Sequence, residues 1–264
     1  MAEPFPADWH TAVVLMPHPD DPEYGSAAAV AKWTSAGKGV RYVLACRGEA
    51  GIAGMPPEQA ARLREAEQRR AAAIVGVRDL EFWDFPDGNV RNSPELRQKI
   101  ADTLAVLKPD VALTVYGGPE MAPGIPNQRD HMEFAAAVLA AYADLRDPPR
   151  WLFSSKPGGT HVETVDGFID VAVESLAAHE KYLSVLDPDT PVMMQARTVV
   201  EMTAPARADC TVVARPDSSW NAADSHTGRE SCGHSKSAAA GSVLEVPWRL
   251  PMWLHGVKHR GWTV

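Results

Sequence analysis

Cysteine is scarce: Cys46, Cys210 and Cys232 are the only three in 264 residues, and no two form a C-x-x-C pair. This excludes a disulfide framework, a zinc knuckle and a thioredoxin-like redox pair, and a reducing cytoplasm is the expected setting. Positive charge is short as well, with 26 Lys and Arg against 34 Asp and Glu for a net charge of -8. Nucleic acid as a general partner needs the opposite balance, and so does an anionic membrane surface. The longest apolar run, Phe134 to Ala143, is half a membrane span. The N-terminal MAEPFPADWH is acidic and holds two prolines, unlike a signal peptide. There is no internal repeat, and no G-x-G-x-x-G turn of the kind that cradles a dinucleotide.

What is present is alternation of strand and helix. Thr11–Met16 (TAVVLM) is a continuous apolar run, as expected of a strand covered on both faces. Ser26–Ser35 is Ala-rich and helical, Val40–Cys46 a second strand, and Pro57–Val75 a long helix that starts on Pro and stops at Gly76. Leu80–Trp83, Val111–Tyr116 and Trp151–Ser155 read as further strands, and Glu95–Leu107, His131–Leu145 and Asp170–Ser184 as further helices. This order predicts right-handed βαβ units, and so an α/β fold: a Rossmann-like three-layer α/β/α sandwich with a mostly parallel sheet. Residues 1–185 are expected to form that core, and 186–264 a C-terminal part packing on it. Within that part the small, polar stretch 221–241 reads as an exposed loop, and the Trp-rich tail leaves a homo-oligomer open.

In an open parallel sheet, ligands bind beyond the carboxyl ends of the strands. The first strand is followed by Pro17-His18-Pro19-Asp20-Asp21, one imidazole and two carboxylates leaving a buried strand together. A divalent cation is the natural partner of such a cluster; capping of the next helix by Asp20 or Asp21 is the plainer alternative. The fourth strand is followed by a Gly/Pro-rich loop and then Arg129-Asp130-His131 at a helix start, which brings His131 to the same edge. His18, Asp21 and His131 would be three ligands with a coordination position left open, a catalytic arrangement. Asp20 beside them is placed to take a proton from a water that the cation activates. The reaction class is metal-assisted hydrolysis of an amide or ester.

These residues resemble the PIG-L/LmbE family of N-acetylglucosaminyl deacetylases. The resemblance rests on His18-Pro19-Asp20-Asp21 with Glu23 and Gly25, and on Arg47-Gly48-Glu49-Ala50-Gly51. It continues in Arg64-Glu65-Ala66-Glu67 with Gly76-Val77, in Phe85-Pro86-Asp87-Gly88, in Asp130-His131, and more loosely from Asp170 to His179, so that it covers roughly residues 10–185. It implies a zinc hydrolase that removes acetyl from a small-molecule amino sugar, with His18, Asp21 and His131 as ligands and Asp20 as general base. Fe2+, Co2+ and Ni2+ would also suit the site. Glu49, Arg64 and Asp87 fall where the family contacts substrate, although a charged helix and an Asp-Gly turn explain the latter two as well.

One departure stands out. The family commonly has a His three residues before its last ligand, where this chain has Gln128. Gln128 can donate a hydrogen bond to substrate but cannot shuttle a proton. Asp130, counted with Asp20 as catalytic, loses the imidazole it would orient. Either Asp20, His161 or His179 then supplies the acid, or activity is weak. The alternatives are an amidase on a thiol-sugar conjugate and a metal-binding protein with little hydrolytic activity. A nucleotide-binding domain is weakened by the missing Gly-rich turn.

Overall fold

The computed structural model describes residues 2–122, 124–155, 159–203 and 207–214, and Met1–Pro216 form one compact unit. The elements in chain order are β1 (Glu3–Pro4), β2 (Thr11–Met16), α1 (Asp21–Gly25), α2 (Ala27–Ser35), β3 (Gly39–Leu44), α3 (Pro57–Ile74), β4 (Asp79–Phe82), α4 (Pro94–Leu107) and β5 (Val111–Thr114). They continue with β6 (Glu120–Ala122), β7 (Ile125–Pro126), α5 (Arg129–Asp144), β8 (Trp151–Ser155), β9 (His161–Thr164), α6 (Ile169–Ala177), α7 (Glu180–Leu186), α8 (Val192–Thr203) and β10 (Arg207–Ala214).

Five strands, in the order β8-β5-β2-β3-β4, pair in parallel and form the body of the sheet. The apolar run of β2 lies at its centre, with Val13, Val14 and Leu15 fully buried. Successive side chains alternate between the two faces. Val13, Leu15, Val43, Ala112 and Leu152 therefore share one face, where Leu96, Ile100 and Leu104 of α4 and Phe134, Ala137, Val138 and Ala141 of α5 pack on them. Tyr42, Leu44 and Phe153 are buried on the other, where α2, α3 and α6 lie against one another. Helix α4 is started by Ser93, whose hydroxyl accepts from Leu96 N–H, with Pro94 at the first helical position.

Two features depart from the sequence reading. The helix expected over Asp170–Ser184 is broken into α6 and α7, because His179 turns inward as a fully buried side chain at the junction. The sheet and helical layer also run past residue 185. Helix α8 packs on α6 and α1, and β10 inserts antiparallel between β8 and β9, with β1 added beyond β9. The stretch 221–241 and the Trp-rich tail lie outside the described residues. No described helix is long and apolar enough to cross a membrane.

Candidate metal centre

From β2 the chain runs outward to β3 and β4 on one side, and later to β5 and β8 on the other. The switch between β2 and β5 opens a crevice at their carboxyl ends. Pro17–Asp21 enter it from β2, and the segment that leads into α5 enters it from β5. One ring nitrogen each of His18 and His131 and a carboxylate oxygen of Asp21 lie within 4.8 Å of one another. Asp21 Oδ2 is 3.1 Å from His18 Nδ1 and accepts from His18 N–H at 2.8 Å, while Asp21 Oδ1 is 3.1 Å from His131 Nε2.

The ring of His131 is oriented by a residue that the sequence reading did not single out. Asn127 donates both amide hydrogens, to the carbonyls of Tyr116 and Gly118 at 2.8 Å each. Its Oδ1 therefore points at His131 Nδ1, 3.1 Å away. An acceptor there makes Nδ1 the protonated nitrogen and leaves the lone pair on Nε2, as a metal-binding imidazole requires. His131 Nε2 is buried and faces Asp21 Oδ1 at 3.1 Å without the geometry of a hydrogen bond. A buried imidazole nitrogen converging with a carboxylate and a second imidazole is a donor set that fits a divalent cation.

His18 is held on its far side by two more carboxylates. Its Nε2 lies 3.3 Å from Asp130 Oδ2 and 3.4 Å from Asp87 Oδ1. Burial disfavours the imidazolium, but Asp21, Asp130 and Asp87 outweigh it and raise the His18 pKa to about 10. Burial likewise opposes ionisation of Asp21, yet the two imidazoles hold its carboxyl far below the usual range. Asp130, expected to be left without an imidazole, has His18 as its partner, and Arg91 Nη1 approaches its other oxygen at 3.8 Å.

Asp20 has a left-handed backbone, φ 85°, which costs a non-glycine residue on the order of 1–3 kcal/mol. Several contacts hold it there. Arg64 Nη2 donates to Asp20 Oδ1 at 2.6 Å and to the Pro19 carbonyl at 2.5 Å, and Asp20 N–H donates to Gln68 Oε1 at 2.7 Å. Burial pushes the Asp20 pKa up to about 7 against the opposing charge of Arg64.

Arg64, expected as a substrate contact, is engaged with Asp20 in this structure. It is 2% exposed and its guanidinium lies over the Tyr182 ring at 3.6 Å. Gly48 (φ 69°) and Gly51 make room for it: a Cβ at Gly48 would stand 2.9 Å from Arg64 Cδ, and one at Gly51 would overlap Nη1. Glu49 and Asp87 latch two loops together. Glu49 Oε1 accepts from Asp87 N–H, and Asp87 Oδ2 accepts from Ala50 N–H, both at 2.8 Å. Gln128 caps α5 as an exposed residue whose backbone N–H donates to Asn127 Oδ1.

The two candidate proton donors named beside Asp20 do not face the crevice. His161 lies on β9, separated from β2 by β10, β8 and β5. His179 is fully buried against Glu23, 3.3 Å away, and burial with the nearby Arg64 and Arg70 charges holds its pKa well below the ordinary value.

The family model described as PIG-L, GlcNAc-PI de-N-acetylase, matches residues 13–142. The chain is 29% identical over 184 residues to a probable N-acetyl-alpha-D-glucosaminyl L-malate deacetylase 2 of Bacillus anthracis, covering 63% of this chain and 79% of the relative. It spans about half the length of two further deacetylase relatives. Among solved structures, N,N'-diacetylchitobiose deacetylase from Pyrococcus horikoshii superposes with a TM-score of 0.64 at 16% identity, over 78% of this chain and 84% of that one. The 4-carboxy-2-hydroxymuconate hydratase of Pseudomonas putida KT2440 shares the fold, with a TM-score of 0.58 at 18% identity over 80% and 99% of the two chains. The fold thus hosts more than one chemistry, and the reaction has to be argued from the site. The stretch 13–142 that matches the PIG-L model contains both the His18–Asp21 segment and His131, so the part of this chain similar to the PIG-L family is the part that carries the candidate metal centre.

Proposed function

We propose that the protein is a metal-dependent hydrolase that removes the acetyl group from the amine of an N-acetylated amino sugar or its conjugate, with Zn2+ as the working ion. The observation that carries this reading is the meeting of His18, Asp21 and His131 at the sheet's switch point, with the buried carboxylate of Asp20 next in the chain. When bound there, a divalent cation polarises the acetyl carbonyl and makes water a stronger nucleophile near neutral pH. Two imidazoles and one carboxylate suit Zn2+, although Fe2+, Co2+ and Ni2+ accept the same donors.

The protein's own groups do the rest. Asp20 accepts a proton from the attacking water, and a pKa lifted to about 7 is well matched to that task. Arg64 fixes the carboxylate through Oδ1. As the amide C–N bond breaks, Asp20 returns the proton to the leaving nitrogen, since neither His161 nor His179 faces the crevice. Asp130 and Asp87 hold the His18 ring, and Asn127 holds that of His131. Exposed Gln128, at the start of α5, is assigned to substrate binding through its amide. The products are acetate and a free amine. The substrate is a small molecule of the N-acetylglucosamine class, as with the relatives, and the setting is the cytoplasm.

The test is release of free amine from a panel comprising N-acetylglucosamine, the malate and inositol glycosides of N-acetylglucosamine, and diacetylchitobiose, run on metal-loaded and chelated protein. Amine release from at least one of them, lost on chelation and regained with Zn2+, supports the reading. No release from any of them by fully loaded protein rejects it.

A further inference from the structure

Behind Asp20 lies a buried polar chain that no step above uses. Gln68, on α3, is fully buried. Its Oε1 accepts from Asp20 N–H at 2.7 Å, and its Nε2 donates to both carboxylate oxygens of Glu23 at 3.1 Å. Glu23, on α1, meets His179 at the α6–α7 junction. Each group fixes the next. With its amide nitrogen directed at Glu23, Gln68 has only one way to face, and that way presents its oxygen to the backbone of Asp20. Glu23 is kept in place from behind by a histidine whose inward turn breaks a helix. The chain ends on the residue that carries φ 85° at the metal centre.

We propose that Gln68 is a positioning residue for the reaction, holding the backbone of Asp20 in its left-handed conformation, with Glu23 and His179 locking the Gln68 amide. This rests on the reading of Asp20 as the general base. The physical argument is that a strained conformation persists only where its surroundings over-determine it. Arg64 holds the carboxylate and the carbonyl before it, but the N–H of Asp20 has Gln68 as its partner. Arg64 and Gln68 thus grip the two ends of one peptide unit, and without the Gln68 acceptor that unit keeps a single anchor and can relax toward negative φ, turning the carboxylate with it.

The test uses two variants of the full chain. Gln68→Met keeps the side-chain length and removes the amide. The double variant Gln68→Glu with Glu23→Gln exchanges carboxyl and amide. The carboxylate then at position 68 accepts from Asp20 N–H, and the amide then at position 23 donates to that carboxylate and accepts from His179. The readouts are kcat, KM, bound Zn2+ per chain, and the Asp20 backbone in crystal structures. Gln68→Met is expected to keep KM and its metal while kcat falls about 10–100-fold, the usual loss on removing such a supporting contact, and Asp20 leaves the left-handed region. The exchanged pair is expected to restore both. Unchanged kcat in Gln68→Met overturns the proposal, as does kcat falling only in step with lost metal. Should Gln68→Met not fold, the exchanged pair decides: wild-type kcat with φ near its native value supports the proposal, and a folded but slow enzyme overturns it. If the wild-type chain releases no amine, the functional reading fails separately. The crystal structures then judge Gln68 alone, and an Asp20 still left-handed in Gln68→Met overturns the proposal.

Discussion

Replacing Asp20 by Asn separates the roles that meet at that residue. Asn tolerates the left-handed region better than most residues, so φ 85° is retained. Its Oδ1 still accepts from Arg64, and its N–H still donates to Gln68. Two effects on stability oppose each other. Arg64 loses the charge that faces it, but burial no longer disfavours an ionised group, a penalty that shows in the Asp20 pKa of about 7. The fold and the metal are therefore expected to survive. Asn cannot accept the proton, and loss of a general base costs about 10²–10⁴-fold, equivalent to roughly 3–5 kcal/mol of activation free energy. The wild-type enzyme should also lose kcat/KM as pH falls through about 7 or somewhat lower. Protonated Asp20 is inactive below its pKa, and a bound cation lowers that pKa further. The acidic limb should be missing from the residual activity of the Asn variant. The assay is amine release from pH 5 to 9 with metal content measured on the same samples. Full activity with metal retained would falsify the base assignment, and loss of metal would show that Asp20 belongs to the ligand set.

Other expectations follow from the same geometry. His18 carries a proton in the metal-free protein, its folded pKa of about 10 lying above the ordinary 6.5. This adds stability that is complete below pH 6.5 and lost as pH rises through 10. Zn2+ uptake near pH 8 should therefore release about one proton from His18; calorimetry in buffers of different ionisation enthalpy reads this, and zero release contradicts it. Asn127→Ala removes the acceptor that orients His131 and should weaken metal binding about 10–100-fold, as measured by competition with a chelating dye; unchanged affinity would count against that orientation. Gly51→Ala drives a Cβ into Arg64, which is fixed by Pro19 and Asp20. It should cost about 1–3 kcal/mol, read as a fall in Tm, and a Tm equal to wild type refutes the packing argument.

Much of the site was legible because its signals are local. His18, Asp20 and Asp21 follow a strand whose apolar run is unambiguous, and His131 follows another, so topology alone brings them to one crevice. The roles of Arg64, Asp130 and Asn127 were not legible, since each depends on a partner distant in sequence or on a loop's path. A charged helix such as α3 gives no sign that one arginine turns inward to a carboxylate 44 positions earlier. The break between α6 and α7 was hidden for a similar reason. Leu176-Ala177-Ala178-His179-Glu180 holds no Gly or Pro, and the helix stops where buried His179 meets Glu23. Strand β10 was obscured because its β-branched run, Thr211-Val212-Val213, is short and stands in a weakly patterned stretch beyond residue 185, and pairing with β8 and β9 is what defines the strand.

The central claim is that hydrolysis depends on one cation held by His18, Asp21 and His131. Its most direct test is amine release measured against Zn2+ content, as chelated protein is reloaded stepwise. Activity that rises from zero in proportion to bound metal and levels off at about one ion per chain, the occupancy of a single three-ligand site, is the result predicted. Activity that persists in fully chelated protein, or that does not follow occupancy of that one site, would contradict it.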